Sequence, residues 1–176
     1  MKKRVLAVVA VPLLVLLVAV GCGSGTATTT TASSALQTTS TTPALVTYSA
    51  DLSGKNETPA VSTSASGSVS FTLDRSGTTV AYVLNVTMIT GVTVARVHMG
   101  KAGTTGGTIL TVFPGPTKKG LFSGVLAQGS FDATKLTGTL KGKTIADFVA
   151  LVKTAQIYVN VGTSKHPSGE LRGQLQ

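Results

Sequence analysis

Short runs in which apolar and polar residues alternate, separated by glycine, dominate the chain from Leu45 to Gln176. In the run 67–73, for example, Val69, Phe71 and Leu73 fall on one face, and serine and threonine fall on the other. Alternation with a period of two is typical of a β-strand with one buried face. Several such runs with turns between them predict a mostly β domain, built as an antiparallel sandwich or barrel.

Six further runs continue the alternation and are predicted as strands. Their bounds are Thr79–Met88, Thr93–Met99, Thr108–Phe113, Leu121–Gln128, Ile157–Val161 and Glu170–Leu175. The first of them is expected to gather four apolar side chains on one face, namely Tyr82, Leu84, Val86 and Met88. Turn-forming residues stand at 74–77 (Asp-Arg-Ser-Gly) and at 113–116 (Phe-Pro-Gly-Pro), and such clusters favour reversals of the chain.

One segment departs from the period of two. Between Thr144 and Lys153, four apolar residues follow a helical spacing, namely Ile145, Phe148, Val149 and Val152. Thr144 followed three residues later by Asp147 resembles a capping box, with aspartate in place of the usual glutamate or glutamine. We therefore expect one short helix across an end or edge of the sandwich, with its apolar stripe packed into the core.

The first 21 residues have the features of a bacterial signal peptide. Three cations at 2–4 precede the apolar run Val5–Val20, which is shorter than the roughly 20 residues that a membrane-spanning helix needs. The segment 19–21 (Ala-Val-Gly) leads into Cys22 and resembles a lipobox, in which the cysteine is acylated. Residues 1–21 are therefore predicted as a lipoprotein signal peptide and Cys22 as the lipidation site, on the extracytoplasmic face of the membrane. An ordinary secreted protein cut nearby and an uncleaved anchor are the alternatives.

Residues 22–44 are rich in threonine and serine and carry almost no charge. Such a segment can bury too little apolar surface to offset its chain entropy, so we expect a flexible stalk. The predicted organisation is therefore a signal peptide (1–21), a stalk (22–44) and one β domain (45–176).

The composition excludes several classes of protein. A single cysteine cannot form a disulfide framework, and with two histidines it falls short of the four ligands of a closed zinc site. The net charge is +9, but no basic stripe with interleaved aromatic residues occurs, so nucleic acid is not an expected partner. The sequence has no nucleophile elbow and no zinc-protease helix motif, and we do not expect an enzyme.

Five segments, in order along the chain, resemble the chordin-type (CHRD) domain. They are 52–61 (LSGKNETPAV), 67–73 (GSVSFTL), 95–100 (ARVHMG), 157–163 (IYVNVGT) and 167–175 (PSGELRGQL). The resemblance covers residues 46–176. It implies an immunoglobulin-like sandwich that is loosely similar to the copper/zinc superoxide dismutases. Bacterial members of the family occur in secreted and surface proteins without an agreed activity.

Alternation also predicts a polar face shared by three strands. Arg96 and His98 fall on one face of their strand, and Asn160 falls on the corresponding face of another. Glu170 and Arg172 share a polar face in the last strand. If these strands are neighbours, the five residues form a candidate binding face. The simpler alternative is a structural role, with Arg96 and Glu170 forming an ion pair.

The resemblance further raises the question of a metal. Many members of the family would offer histidine at the positions of Arg96, His98 and Gly162, and three imidazoles would suit copper or zinc. In this chain His98 alone remains as a candidate metal ligand, and the permanent charge of Arg96 beside it opposes a divalent ion. We therefore expect no cofactor, with copper or zinc as the alternative.

The function predicted from these features is that of a non-enzymatic lipoprotein, anchored in the cell envelope, that displays a binding or structural module. The expected partners are the membrane, through the N-terminal lipid, and a surface protein or wall polymer. Asn56 and Glu57 of the opening motif are a second candidate binding region, with loop-fixing hydrogen bonds as the simpler alternative. A metal-binding or redox-related protein on a dismutase-like sandwich is the alternative function.

Overall fold

The computed structural model describes residues 45–176, so the predicted signal peptide, Cys22 and the predicted stalk lie outside the described residues. The described part contains seven strands and one α-helix. Their bounds are β1 Val46–Ser53, β2 Ser66–Leu73, β3 Thr79–Met99, β4 Thr108–Phe113, β5 Lys118–Asp132, α1 Ile145–Lys153, β6 Ile157–Thr163 and β7 Leu171–Gln174. Three single-turn 3-10 helices span Gly54–Asn56, Ala133–Lys135 and Gly138–Leu140.

The long strand β3 organises the sheet, and all the strand pairings are antiparallel. The first half of β3 pairs with β2 and β5, and its second half pairs with β6 and β4. Strand β1 lies between β2 and β7, and β7 pairs with β6. The strands therefore close into a barrel-like arrangement. The predicted fold, mostly β and antiparallel with one short helix, is confirmed.

Strand β3 runs without interruption through the two strands predicted at 79–88 and 93–99. Its register against β5 shifts between Val86 and Ile89, and both of these side chains are buried. Because this bulge changes the alternation, Met88 has a φ of 55° and is 52% exposed. The prediction that Met88 shares the buried face with Val86 is therefore wrong.

Three phenylalanines, from β2, β5 and α1, form an aromatic cluster within the core. The ring centroid of Phe71 lies 6.0 Å from that of Phe131 and 6.1 Å from that of Phe148. The four residues of the predicted helical stripe are all buried, namely Ile145, Phe148, Val149 and Val152, which confirms that α1 packs into the core. Within residues 45–176, no helix combines the length and the apolar character needed to cross a membrane.

We expect the substitution Thr144→Ala to lower the free energy of unfolding by about 1 kcal/mol. The Thr144 hydroxyl accepts a hydrogen bond from the amide of Asp147 at 3.2 Å, and the Asp147 carboxylate accepts one from the amide of Thr144 at 2.8 Å. This capping box satisfies two amides at the start of α1. Urea unfolding followed by circular dichroism measures the effect. The exposed Thr117 provides the control variant Thr117→Ala, and an equal effect of both variants would contradict the prediction.

Candidate functional site

The polar face predicted from alternation lies on the outer side of β3, β6 and β7. Arg96 is opposite Asn160, and Asn160 is opposite Arg172. In the next row, His98 is opposite Tyr158. The intervening side chains of β3 and β6 point inward and are fully buried, namely Ala95, Val97, Ile157, Val159 and Val161. The three strands that were predicted to share the face are therefore neighbours.

An aromatic stack forms the centre of this face. The rings of His98 and Tyr158 are nearly parallel, with an interplanar angle of 9° and centroids 5.0 Å apart. The guanidinium carbon of Arg172 lies 3.5 Å from the centroid of the Tyr158 ring, a cation–π geometry. Although both side chains project from the outer side of the sheet, Arg172 is 3% exposed and Tyr158 is 4% exposed. Tyr158 was not among the predicted site residues, although alternation puts it on the same face of its strand as Asn160.

The loop between β3 and β4 covers the stack and is held to it by hydrogen bonds. Arg172 Nη2 donates to the carbonyl oxygens of Lys101 at 3.0 Å and Thr104 at 2.6 Å. The amide of Gly106 donates to the Tyr158 hydroxyl at 3.2 Å. Because arginine is permanently charged, its bonds to neutral carbonyls are charge-assisted and comparatively strong. Arg172 therefore fixes this loop against the sheet.

His98 is held in one tautomer. Its Nδ1 lies 3.0 Å from the carbonyl oxygen of Gly106, and since a carbonyl only accepts, Nδ1 carries the proton and Nε2 retains its lone pair. Burial lowers the pKa of His98, the hydrogen bond to Gly106 opposes this shift, and the charges of Arg96 and Arg172 add to it. His98 is thus a neutral ring in a cationic environment.

Glu57 extends over this face from the loop after β1. Asn160 Nδ2 donates to its carboxylate oxygens at 3.0 and 3.2 Å. Asn56 Nδ2 donates to the carbonyl oxygen of Arg172 at 3.1 Å, so the loop is also fixed to β7. Burial raises the pKa of Glu57 to about 7, although the charge of Arg172 and a hydrogen bond from the backbone of Thr58 partly offset the rise.

Two clefts open on either side of Glu57, and both Glu57 and Thr58 line each of them. The first has a volume of about 300 Å³ and reaches Lys55 and Arg172. The second has a volume of about 290 Å³ and is also lined by residues 165–169 of the loop between β6 and β7. Glu57 is therefore a carboxyl group with a pKa near neutrality that borders two small cavities.

Glu170 is placed differently from the expectation. Its two carboxylate oxygens accept hydrogen bonds from the hydroxyls of Thr63 and Thr163, each at 2.7 Å, and it is 8% exposed. Arg96 is exposed to solvent. The ion pair between Arg96 and Glu170, the simpler alternative for these residues, is therefore wrong, because the loop before β2 supplies a hydroxyl partner for the carboxylate. Of the five predicted residues, the structure groups Arg96, His98, Asn160 and Arg172 on the face, whereas Glu170 lies buried beneath a loop.

The residues on this face do not fit a copper or zinc ion. Among residues 45–176, no three histidine, cysteine, aspartate or glutamate side chains come together closely enough to hold a metal. Gly162 offers no side-chain donor, and Arg96 lies in the row next to His98. A divalent cation bound by His98 would have to overcome the repulsion of two guanidinium groups, Arg96 and Arg172, whose charges already disfavour a proton on this ring.

The substitution Glu57→Gln is expected to remove a pH dependence of stability. Because the pKa of Glu57 rises from 4.5 to about 7 on folding, the folded chain holds this proton more tightly than the unfolded chain. Protonation of Glu57 therefore stabilises the folded state fully below pH 4.5, and this contribution is lost as the pH rises to about 7. At pH 8 the variant should be more stable than the wild type by about 1–2 kcal/mol, a figure reduced for partial exposure. Urea unfolding across this pH range measures the difference, and an unchanged slope in the variant would contradict the expectation.

A family model for the CHRD domain matches residues 48–175. This match spans more than half of the chain and includes the site residues from Asn56 to Arg172. No curated protein and no solved structure matches the chain. The matched segment is the same stretch that forms the antiparallel β fold described above. The chain belongs to the CHRD domain family.

Proposed function

We propose that this protein is a cell-envelope lipoprotein, anchored through acyl chains on Cys22, whose CHRD domain is a non-enzymatic binding module. The binding site is the pair of clefts around Glu57. The observation that carries this proposal is the position of the Glu57 carboxyl group between two clefts, with a pKa raised to about 7. Strongly perturbed carboxyl groups in clefts are concentrated at functional sites.

The neighbours of Glu57 favour binding over catalysis. Asn160 donates a hydrogen bond to Glu57, and Arg172 donates hydrogen bonds to two backbone carbonyls. These bonds hold the site in one geometry. Glu170, the other acid in this region, already accepts two hydroxyl hydrogen bonds. A glycosidase-type reaction requires two carboxyl groups that face each other across a substrate, and among residues 45–176 a single carboxyl borders the clefts. A site held in one geometry, with a single carboxyl group, is suited to recognition.

The charge of the domain favours an anionic wall polymer as the partner. Residues 45–176 contain twelve lysines and arginines and six acids. Lys55 lines the first cleft and Lys165 lines the second, and both are exposed. Cations at the openings of clefts attract polyanions and raise their local concentration, an effect that salt screens.

The anchoring is tested by metabolic labelling with a fatty acid. We expect the wild-type chain to incorporate the label and to sediment with membranes, because two acyl chains give durable attachment. The Cys22→Ser variant should lose both properties. A wild-type chain that takes up no label, or a variant that remains labelled, would contradict the lipoprotein assignment.

Binding is tested by co-sedimentation of the full chain in detergent with purified bacterial cell wall. The double variant Lys55→Ala/Lys165→Ala should bind several-fold more weakly than the wild type, because both cations border the clefts. The matched control is Arg75→Ala/Lys153→Ala, which removes the same charge from two exposed residues that line neither cleft. An equal loss in both double variants would mean that net charge alone is responsible, and it would overturn the assignment of the site.

A further inference from the structure

Three exposed apolar side chains gather where β3 bulges against β5. Met88 is 52% exposed, Leu121 is 71% exposed and Val125 is 49% exposed. The amide of Met88 donates to the Ser123 hydroxyl at 2.9 Å, which places Met88 beside the middle of this part of β5. Leu121 and Val125 flank Ser123 at intervals of two residues, and all three are exposed. Grouped apolar exposure of this kind marks an interaction surface.

Lysines border this apolar patch, and the parts of β3 and β5 that form it carry no acidic residue. Lys118 and Lys119 begin β5 and are exposed, and Lys118 Nζ lies 5.3 Å from the centroid of the Phe122 ring. From Thr79 to Phe131, a stretch that includes all of β3 and β4, the sequence contains no aspartate or glutamate. An apolar patch edged by lysines is complementary to an anionic lipid surface, where the lysines meet head groups and the apolar side chains reach the acyl boundary.

The same region is poorly suited to receive a strand from a second protein. Strand β5 pairs with β3 alone among the described strands, so one of its edges is open. However, Gly120 has a φ of 75° and Gly124 a φ of 132°, and the pairing with β3 shifts register three times. Bulges and edge lysines are features that oppose the addition of another strand. The patch therefore presents its side chains to a partner, and not its backbone edge.

The geometry of the chain allows the patch to reach a membrane. Val46, where β1 begins, lies in the same cross-strand row as Leu73 and Val80. Met88 is eight residues farther along β3, or about 26 Å at the rise of a strand. The segment from Cys22 to Ala44 spans up to about 75 Å when extended. A domain anchored at Cys22 can therefore lie with this patch against the bilayer.

We propose that Met88, Leu121 and Val125, with Lys118 and Lys119, form a lipid-contacting patch that rests on the surface of an anionic bilayer. The patch is separate from the clefts around Glu57, and it depends on the proposed lipid anchor only for being held near the membrane. Its role is to orient the domain by a second, reversible contact, since one lipid-modified cysteine fixes position but not orientation.

The absence of tryptophan from the sequence allows a clean test. The Leu121→Trp variant of the full chain is reconstituted into vesicles of phosphatidylglycerol and phosphatidylcholine, and its fluorescence is measured with and without brominated acyl chains. We expect blue-shifted emission and strong quenching by the brominated lipid. The Ala146→Trp variant, at an exposed position of α1, is the matched control and should be quenched at least about twofold less.

The role of the lysines is tested in the same background. Adding Lys118→Gln and Lys119→Gln to the Leu121→Trp variant, or using phosphatidylcholine alone, should reduce the quenching, because both changes remove the charge attraction. Vesicle flotation reports anchoring separately, so a chain that floats with unquenched tryptophan overturns the patch while leaving the lipoprotein proposal intact. A blue shift that depends on protein concentration and not on brominated lipid would assign the patch to a second copy of the chain, and would also overturn it. If the chain does not float, anchoring fails, and quenching at higher lipid concentration still decides the patch.

Discussion

Replacing Arg172 with alanine is expected to lower the free energy of unfolding by about 3 kcal/mol and to release the loop between β3 and β4. The side chain is 3% exposed, donates to the carbonyl oxygens of Lys101 and Thr104 and stacks on Tyr158. Hydrogen bonds from a charged donor contribute about 1.5–3 kcal/mol, and a desolvated cation–π contact contributes about 2 kcal/mol. The expected loss is smaller than the sum of these contributions, because the carbonyl groups released from Arg172 can form hydrogen bonds with water.

Arg96, in the same cross-strand row as Arg172, supplies the control for this prediction. Arg96 is separated from Arg172 by Asn160 alone, but it is exposed, so Arg96→Ala should change stability by less than about 0.5 kcal/mol. Urea unfolding measures both variants, and amide hydrogen exchange should show loss of protection at Gly106 only in Arg172→Ala. Equal effects of the two substitutions, or unchanged protection at Gly106, would show that Arg172 does not hold the loop.

Replacing Gly169 with alanine is expected to lower the free energy of unfolding by about 2–6 kcal/mol and to separate Glu57 from Asn160. Gly169 has a φ of 147°, a conformation that costs a residue with a side chain about 1–3 kcal/mol. A Cβ atom at this position would also overlap Asn160 Nδ2 and lie 2.5 Å from Glu57 Oε1. Relieving this overlap in a packed site adds about 1–3 kcal/mol.

The variant Gly77→Ala measures the cost of a side chain at positive φ without any steric overlap. Gly77 has a φ of 71°, and a Cβ atom added there would meet no atom of residues 45–176 within 4 Å, so Gly77→Ala should cost only about 1 kcal/mol. If Gly169→Ala costs no more than Gly77→Ala, the close packing of Glu57 and Asn160 against this glycine is not a constraint. The pH dependence assigned to Glu57 should disappear in Gly169→Ala, because the carboxyl group would move into solvent.

The secondary structure followed from local pattern wherever one face of an element is buried continuously. In β6 the alternation puts Ile157, Val159 and Val161 on one face of the strand, and all three are fully buried. The helix followed from the spacing of its apolar residues and from the Thr144–Asp147 cap. Such signals lie within about ten residues of sequence, so no knowledge of the tertiary structure is needed to interpret them.

The bulge in β3 could not be predicted in the same way. Nothing in the apolar alternation up to Met88 indicates where the register shifts, because a bulge depends on how the strand matches its partner. Met88 satisfies the local pattern, and yet its exposure follows from the pairing of β3 with β5. The two strands predicted at 79–88 and 93–99 form one continuous strand. The exposed apolar patch that includes Met88 was not predicted.

The site was predicted in part for a related reason. Alternation identified the outward-facing residues His98, Asn160 and Arg172, since direction is a local property of a strand. Their partners are set by long-range contacts. Asn160 bonds to Glu57 across 103 residues of sequence, and the Glu170 carboxylate bonds to Thr63 across 107 residues.

The sequence by itself determined that the domain is antiparallel and mostly β, that one short helix packs into it, and that it resembles the CHRD family. These properties depend on local periodicity and on the order of motifs along the chain. Only the tertiary structure decided that Arg172 is buried on Tyr158, that Glu170 bonds to hydroxyls and that Glu57 borders two clefts. The physical reason is that hydrogen bonds and desolvation depend on which groups meet in space, and loops distant in sequence supply those groups here.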